Sequence, residues 1–518
     1  MSAPAPTRRT VVGAAVALIG ATPLRALAAD PVVTCHAGPY SGMRMAGVTA
    51  FRGIRYGRAD RFKAPTAISA QRDVLRAVTP APACPQRGKR HPQSENCLAL
   101  NVWTPSVHDA AMLPVLVYVH GGGYAYGSAN DEITDGQALA ARGIVVVTVN
   151  HRLNALGYLH LAPFDARFAD SGNAGQSDLV LALQWVRANI AAFGGDPGCV
   201  TLAGQSGGGA KIATLLAMPV ARGLFHRALT MSGQQITVSE PDHAAARTRV
   251  YLAGLDVAGR DVAELADLPV ERLIEALETP DPIERSQLYF GPVRDGRWLT
   301  RHPFSPDAHP AGRDVPLMLG GTRDETRDFF DPGSVEMRRL TWETLPERVA
   351  AELPFPAPPS AVIRAYREHT PNASPPDVFY AATTDGRSWR PQLIEAEERT
   401  RAGRTAYVYQ VDFTSRTDPA RGAFHGIDIA LLFGTLGASD AGTGTAADAR
   451  ALSERLQDHV IAFAQTGRPD RPGLPQWPPY DLDRRATMIF DTKSRVENDP
   501  RQWQRNMFAP YTYNQPGT

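Results

Sequence analysis

Lysine and cysteine are scarce in this 518-residue chain: four lysines (Lys63, Lys89, Lys211, Lys493) and four cysteines (Cys35, Cys84, Cys97, Cys199). No two cysteines stand as Cys-x-x-Cys, which argues against a zinc cluster or a thioredoxin-like redox pair. Excess charge is also missing: 54 basic residues against 53 acidic ones leave a net charge of +1. Nucleic acid and anionic membrane surfaces therefore have no electrostatic hold on the chain. Beyond the N-terminus no run of 18 uncharged apolar residues occurs, so no membrane span of roughly 20 residues is encoded. Internal repeats are absent, as is the periodic glycine of a fibre.

What is present is globular: 43% hydrophobic and 21% charged residues, with 45 Gly and 43 Pro spread along the chain. The length allows two or three domains, but large α/β enzymes run this long as one. The arginine-for-lysine bias on an Ala-rich background points to a GC-rich bacterial source.

Residues 1–28 are expected to be a signal peptide. Arg8-Arg9 follows Thr7 and precedes a mildly apolar run over 11–21, and Ala26-Leu27-Ala28 offers a small-x-small cleavage site. The twin arginine with a weakly hydrophobic stretch favours the twin-arginine route, and a general secretory peptide is the alternative. Residues 29–518 then form one domain, exported to the periplasm or beyond. In an oxidising compartment Cys84 and Cys97 can close the loop CPQRGKRHPQSENC, worth about 3 kcal/mol by chain entropy. Cys35 and Cys199 read as buried small apolar residues rather than a second bridge.

From about residue 100 strand-like and helix-like runs alternate. The runs 114–119 and 144–149 are apolar without polar alternation, as in parallel strands covered on both faces. Leu179, Leu183, Val186 and Ile190 recur at helical spacing, and Gly194-Gly195-Asp196-Pro197 ends that helix. A strand at 200–203 meets Gly204-Gln205-Ser206-Gly207-Gly208, and 209–218 reads as helix. Further strands are expected at 315–319 and 406–413. This order implies an α/β fold with a central, mostly parallel, doubly wound sheet. The polar, Pro-interrupted stretches near 256–290 and 340–400 read as helical insertions over one end of the sheet. The Gly/Ser/Ala/Thr-rich stretch 437–445 reads as a mobile loop.

G-x-S-x-G alone is a weak signal in a glycine-rich chain. Between a strand and a helix it becomes a sharp turn that lifts Ser206 above the sheet edge and aims a helix N-terminus at it. A serine hydroxyl needs a base to take its proton and donors for the developing oxyanion. His120-Gly121-Gly122-Gly123 after the 114–119 strand answers the second need. The N–H groups of Gly122, Gly123 and Gly207 are the candidate oxyanion donors.

Together these motifs resemble the type-B carboxylesterases of the cholinesterase-like α/β-hydrolase family, nearest to its para-nitrobenzyl-esterase-like bacterial members. The likeness runs through FRGIRYG (51–57), ENCLALNVWTP (95–105), HGGGYAYG (120–127), NHRLNALGY (150–158), WVRANIAAFGGDP (185–197) and GQSGGG (204–209). It continues in GPVRDG (291–296), GGTRDET (320–326), FHGIDIALLFG (424–434), WPPYD (477–481) and ENDPRQW (497–503). The resemblance implies Glu325 as the acid and His425 as the base, in the order Ser206, Glu325, His425. It also implies that Ser232 contacts the acid. Asp324 reads as a neighbouring exposed carboxylate and Asp428 as structural, while His36, His91 and His459 read as surface or packing residues.

Several departures stand out, and two of them, Gln205 and the Cys84–Cys97 loop, bear on substrate. Gln205 stands where relatives carry Glu, and Gly207 where they carry Ala. The Cys84–Cys97 loop is short and basic (Arg87, Lys89, Arg90, His91) and lacks the aromatic face that holds a quaternary ammonium in cholinesterases. Asn96 and Ala99 replace the usual Asp and Tyr. The expectation is hydrolysis of neutral or anionic carboxylic esters through an acyl-enzyme, with Tyr124 and Tyr126 lining the pocket. Carbamate or amide hydrolysis or acyl transfer on the same triad is the alternative, and a non-catalytic adhesion or binding homologue is a more distant one. The partner is a small-molecule ester, with no metal or organic cofactor implied, and the chain acts as a monomer or weak homo-oligomer.

Overall fold

The apolar runs at 114–119 and 144–149 become adjacent parallel strands at the centre of an eleven-stranded sheet. A computed structural model describes residues 1–2, 30–88, 90–257, 261–284 and 286–518. Apart from its first two residues, the expected signal peptide lies outside the described residues. In chain order the sheet strands are β1 (Met43–Met45), β2 (Val48–Arg55), β3 (Ala99–Thr104), β4 (Leu113–Val119), β5 (Val145–Val149), β6 (Gly195–Gln205), β7 (Arg227–Met231), β8 (Leu317–Thr322), β9 (Ala406–Val411), β10 (Ala486–Phe490) and β11 (Arg495–Asn498). They lie in the order β11-β10-β9-β8-β7-β6-β4-β5-β3-β2-β1. Pairing is parallel from β5 through β4 and β6 to β10. It is antiparallel at both margins.

Alternation along β4 explains its unbroken hydrophobicity. Val115, Val117 and Val119 enter one apolar cluster, while Leu116 and Tyr118 enter another on the opposite face. A strand with no solvent face has no place for a polar residue. The helices that position the site are α1 (Ala174–Asn189), α2 (Gly207–Leu215), α3 (Leu345–Glu352), α4 (Pro359–His369), α5 (Pro375–Thr383), α6 (Arg390–Arg401), α7 (Ile427–Phe433) and α8 (Ala447–Thr466). Leu179 and Val186 of α1 and Ile212 of α2 pack on the first face. Leu431 of α7 and Leu456 and Val460 of α8 pack on the second.

Over 340–400 the expected helical insertion is α3 to α6, and α3, α4 and α5 gather Val349, Val362 and Phe379 with Phe508 into an apolar cluster of their own. Around 256–290 the chain departs from the expectation. Among the described residues there, only Val270–Glu275 is α-helical, beside short 3-10 turns, because Pro269, Pro280 and Pro282 interrupt any longer helix. The 437–445 stretch has no helix or strand, as expected, but it is anchored: Ala441, Gly442 and Thr443 are buried, and Gly442 O accepts from Arg416 N at 2.8 Å and Ser415 Oγ at 3.1 Å.

All four cysteines carry free thiols, which corrects the expected Cys84–Cys97 bridge. Cys84 and Cys97 do meet in the core as buried neighbours, the thiol of one hydrogen-bonded to the other. Cys35 and Cys199 are half-exposed rather than buried. Their thiols donate to Gly38 O at 3.3 Å and Ala464 O at 3.2 Å.

Candidate active site

β6 ends at Gln205, and Ser206 turns the chain into α2 with φ 54° and ψ −127°. A positive φ at a residue with a side chain is strained. Here it is held by Ser206 N donating to Met231 O at 2.7 Å and by Ala210 N donating to Ser206 O at 3.0 Å. The turn can be this tight because of Gly208, where a Cβ would lie 2.0 Å from the carbonyl oxygen of Val119 on β4. That close approach sets the N-terminus of α2 against the sheet and leaves the Ser206 side chain in the cleft.

Glu325 follows β8 on a single 3-10 turn and is 2% exposed. Its Oε1 accepts from Ser232 Oγ at 2.6 Å and from Thr322 N at 2.7 Å. Its Oε2 accepts from Nδ1 of His425. Burial works to raise this carboxyl, but the His425 imidazole, Ser232 and the Thr322 amide outweigh it and hold Glu325 below the ordinary value. His425 shows the mirror balance. Burial works against its charge, and the Glu325 carboxylate outweighs burial, so the imidazole is held above its usual value. With Nδ1–H committed to Glu325, the accepting lone pair is on Nε2. In this resting geometry the Gln205 side-chain amide lies 3.0 Å from Nε2, and among the described residues the Ser206 hydroxyl has no partner.

The turn bearing Glu325 is braced by the helical insertion. Thr326 Oγ1 donates to Tyr380 O at 3.0 Å and sits 2.8 Å from Thr383 Oγ1, both on α5. Asp324 is not the exposed neighbour that the sequence suggested. It is half-buried, and its Oδ2 accepts from Ala423 N at 2.8 Å, which ties the turn of Glu325 to the loop of His425. Asp428 is buried and accepts from Tyr409 OH at 3.0 Å, and burial pushes its carboxyl up to about 7.

The loop after β4 runs through Gly122 and Gly123, at φ 86° and 59°. It lies directly on the serine turn: a Cβ at Gly121 would stand 3.4 Å from Ser206 Cβ, and one at Gly207 would stand 2.0 Å from Gly123 O. Among the described residues the N–H groups of Gly122 and Gly123 donate to no protein acceptor. That of Gly207, first in α2, is one of the free donors at a helix start. Tyr124 is buried, with its OH donating to Gln235 Oε1 at 3.0 Å, so it supports the loop instead of lining the cleft.

The cleft above Ser206 holds about 530 Å³ and is lined by Tyr126, Phe329, Phe424 and His425. Phe329, whose ring lies 4.7 Å from that of His425, is a wall that no motif announced. His91 also lines the cleft and contacts Asp131 at 2.7 Å, which corrects its reading as a surface or packing residue. His459 is a packing residue, with Nδ1 2.9 Å from Pro469 O. Among the described residues no group of three or more His, Cys, Asp or Glu side chains is placed to hold a metal ion.

A mostly parallel sheet with a serine on a strained strand-to-helix turn, and a carboxylate–imidazole pair on loops after later strands, defines an α/β-hydrolase. Residues 29–508 match the model of the Carboxylesterase family, and the chain belongs to that family of carboxylic ester hydrolases. It is 33% identical to the para-nitrobenzyl esterase of Bacillus subtilis (strain 168) over 497 residues, 92% of this chain and 98% of that protein. It is 31% identical to the phenmedipham hydrolase of Pseudarthrobacter oxydans, across 90% of this chain and 97% of the relative. A solved carboxylesterase of Geobacillus stearothermophilus superposes with a TM-score of 0.82 at 33% identity, covering 92% of this chain and 99% of its own.

Proposed function

We propose that this hydrolase cleaves neutral or anionic carboxylic esters through an acyl-enzyme, with Ser206 as nucleophile, His425 as base and Glu325 as the acid that orients it. The carrying observation is the hydrogen bond from His425 Nδ1 to Glu325 in the same cleft as the strained Ser206. That bond assigns the accepting lone pair to Nε2, the atom that takes the Ser206 proton as its oxygen attacks the ester carbonyl. The tetrahedral oxyanion then faces the N–H groups of Gly122, Gly123 and Gly207. His425 returns the proton to the departing alcohol, and water repeats the cycle on the acyl-enzyme. Ser232, through Glu325 Oε1, keeps the carboxylate turned so that Oε2 faces the imidazole.

The neutral side chain of Gln205 beside His425 supports the preference against cationic esters, because no carboxylate stands there to hold a quaternary ammonium. Residues 29–518 act as one domain, exported after loss of 1–28. Intact-mass analysis of the exported protein would read the shortened terminus. For the catalytic assignment, Ser206→Ala is expected to abolish turnover of a p-nitrophenyl short-chain ester with thermal unfolding unchanged. Retained turnover would sink it.

A further inference from the structure

One of the chain's four lysines sits where a charge is least expected. Lys211 lies on α2, four residues after Gly207, and is 0% exposed. Its Nζ donates to Gly123 O at 2.5 Å and stands 4.9 Å from the centroid of the Tyr124 ring. Among the described residues no carboxylate lies within 4.0 Å to neutralise it. The titratable groups facing it are Tyr124 and the stacked rings of His120 and His151, 4.6 Å apart. Burial and the lysine itself push both histidines down, His120 to about 4. A buried cation without a counter-ion is expensive to keep, and ester hydrolysis by Ser206, His425 and Glu325 as derived above does not use it.

The neighbouring glycines show what it holds. A Cβ on Gly123 would meet nothing within 4 Å, so that side of the residue is open, whereas one on Gly122 would fall 2.2 Å from Tyr126 O. The carbonyl of Gly123 occupies the space that a methyl group at position 207 would need. Lys211, one helical turn further on, is the side chain that donates to it.

We propose that Lys211 is a positioning residue of the oxyanion loop: its ammonium pins the Gly123 carbonyl against Gly207, fixes the loop that bears the Gly122 and Gly123 N–H groups, and sets a buried positive charge behind the developing oxyanion. Gly207 belongs to the same device, since a side chain there would push the carbonyl off the lysine. The charge is worth most when the oxyanion exists, so its effect falls on the transition state more than on ester binding. Burial lowers Lys211 to about 7, so the charge is full below neutrality and fades through it, while the N–H donated to Gly123 O remains on the neutral amine and keeps the loop pinned.

This inference rests on the serine-hydrolase reading, and the test separates the two. Lys211→Met is expected to lower kcat for a p-nitrophenyl ester about 10–100-fold, less than the ~10²–10³ of deleting a donor outright, with KM within about twofold. Affinity for a trifluoromethyl ketone, which forms a hemiketal oxyanion on Ser206, should fall by a similar factor. The melting temperature should hold or rise, because an unpaired buried charge is gone. Lys211→Gln, which keeps an N–H donor, should recover part of both losses, and it decides the matter if the Met variant does not fold. Unchanged kcat and ketone affinity, or a change in KM alone, overturns the proposal. If Ser206→Ala abolishes turnover while the Lys211 variants behave as the unaltered protein, only this inference falls.

Discussion

At the scale of single residues the site is a balance between burial and pairing. As the proposed base, His425 must be neutral to accept a proton, and Glu325 holds its pKa above the ordinary imidazole value. Below that pKa the base is protonated, so kcat/KM should fall as pH drops through it, on the alkaline side of a free histidine. Gln205 tunes the same limb, because its amide meets Nε2 at 3.0 Å. Gln205→Glu would place a carboxylate there, favour the imidazolium, and move the acid limb upward by about 1–3 units. A pH–rate profile of the two proteins checks this, and an unmoved limb would place the Gln205 side chain away from the base. The motif itself pointed to Ser206, but Asp324, Phe329 and Lys211 carried no signal beyond their residue types. Their roles come from partners 99, 96 and 88 positions away, Ala423, His425 and Gly123.

At the scale of elements the turn from β6 to α2 is the critical joint. Gly208 Cα stands so close to β4 that an added methyl group would meet the Val119 carbonyl at 2.0 Å. Neither strand can move without breaking the parallel ladder between β4 and β6. Gly208→Ala should therefore cost about 1–3 kcal/mol or more through overpacking. Thermal unfolding should show a lower midpoint and serine labelling a slower rate, and an unchanged midpoint would contradict this packing account. The central strands were legible in the sequence, because a ladder covered on both faces leaves only apolar residues. Their ends were less so: the 200–203 run became β6 over Gly195–Gln205, and 315–319 became β8 over Leu317–Thr322. Hydrophobicity marks the covered part of a strand, while hydrogen bonding to neighbours sets its length.

At the scale of the whole molecule, the proposed preference among esters turns on charge at the cleft. Arg90 is paired with Asp131 and Asp440, and Arg421 with Asp328. Arg87 instead donates to Gln287, and among the described residues no carboxylate lies within 4.0 Å of it. Among the described residues the rim's three arginines (Arg87, Arg90, Arg421) and three aspartates (Asp131, Asp328, Asp440) cancel, so with a neutral Gln205 the cleft offers no net negative charge to hold a cation. An acetylthiocholine-type ester should turn over at least about 10-fold less efficiently, by kcat/KM, than a neutral ester of equal size. The opposite preference would refute the electrostatic reading of the cleft.

By itself the sequence determined the doubly wound α/β plan and the serine elbow, because both are written in local pattern, apolar runs and glycine spacing, whereas Glu325 and His425 were legible only through resemblance to a family. Only the tertiary structure decided what surrounds them. It left the Cys84 and Cys97 thiols unbridged, made Asp324 a tie between two loops, turned Tyr124 inward, and put a lysine against the Gly123 carbonyl. Those outcomes depend on which distant backbone atoms come within hydrogen-bonding reach once the sheet is assembled, and neither composition nor periodicity encodes that.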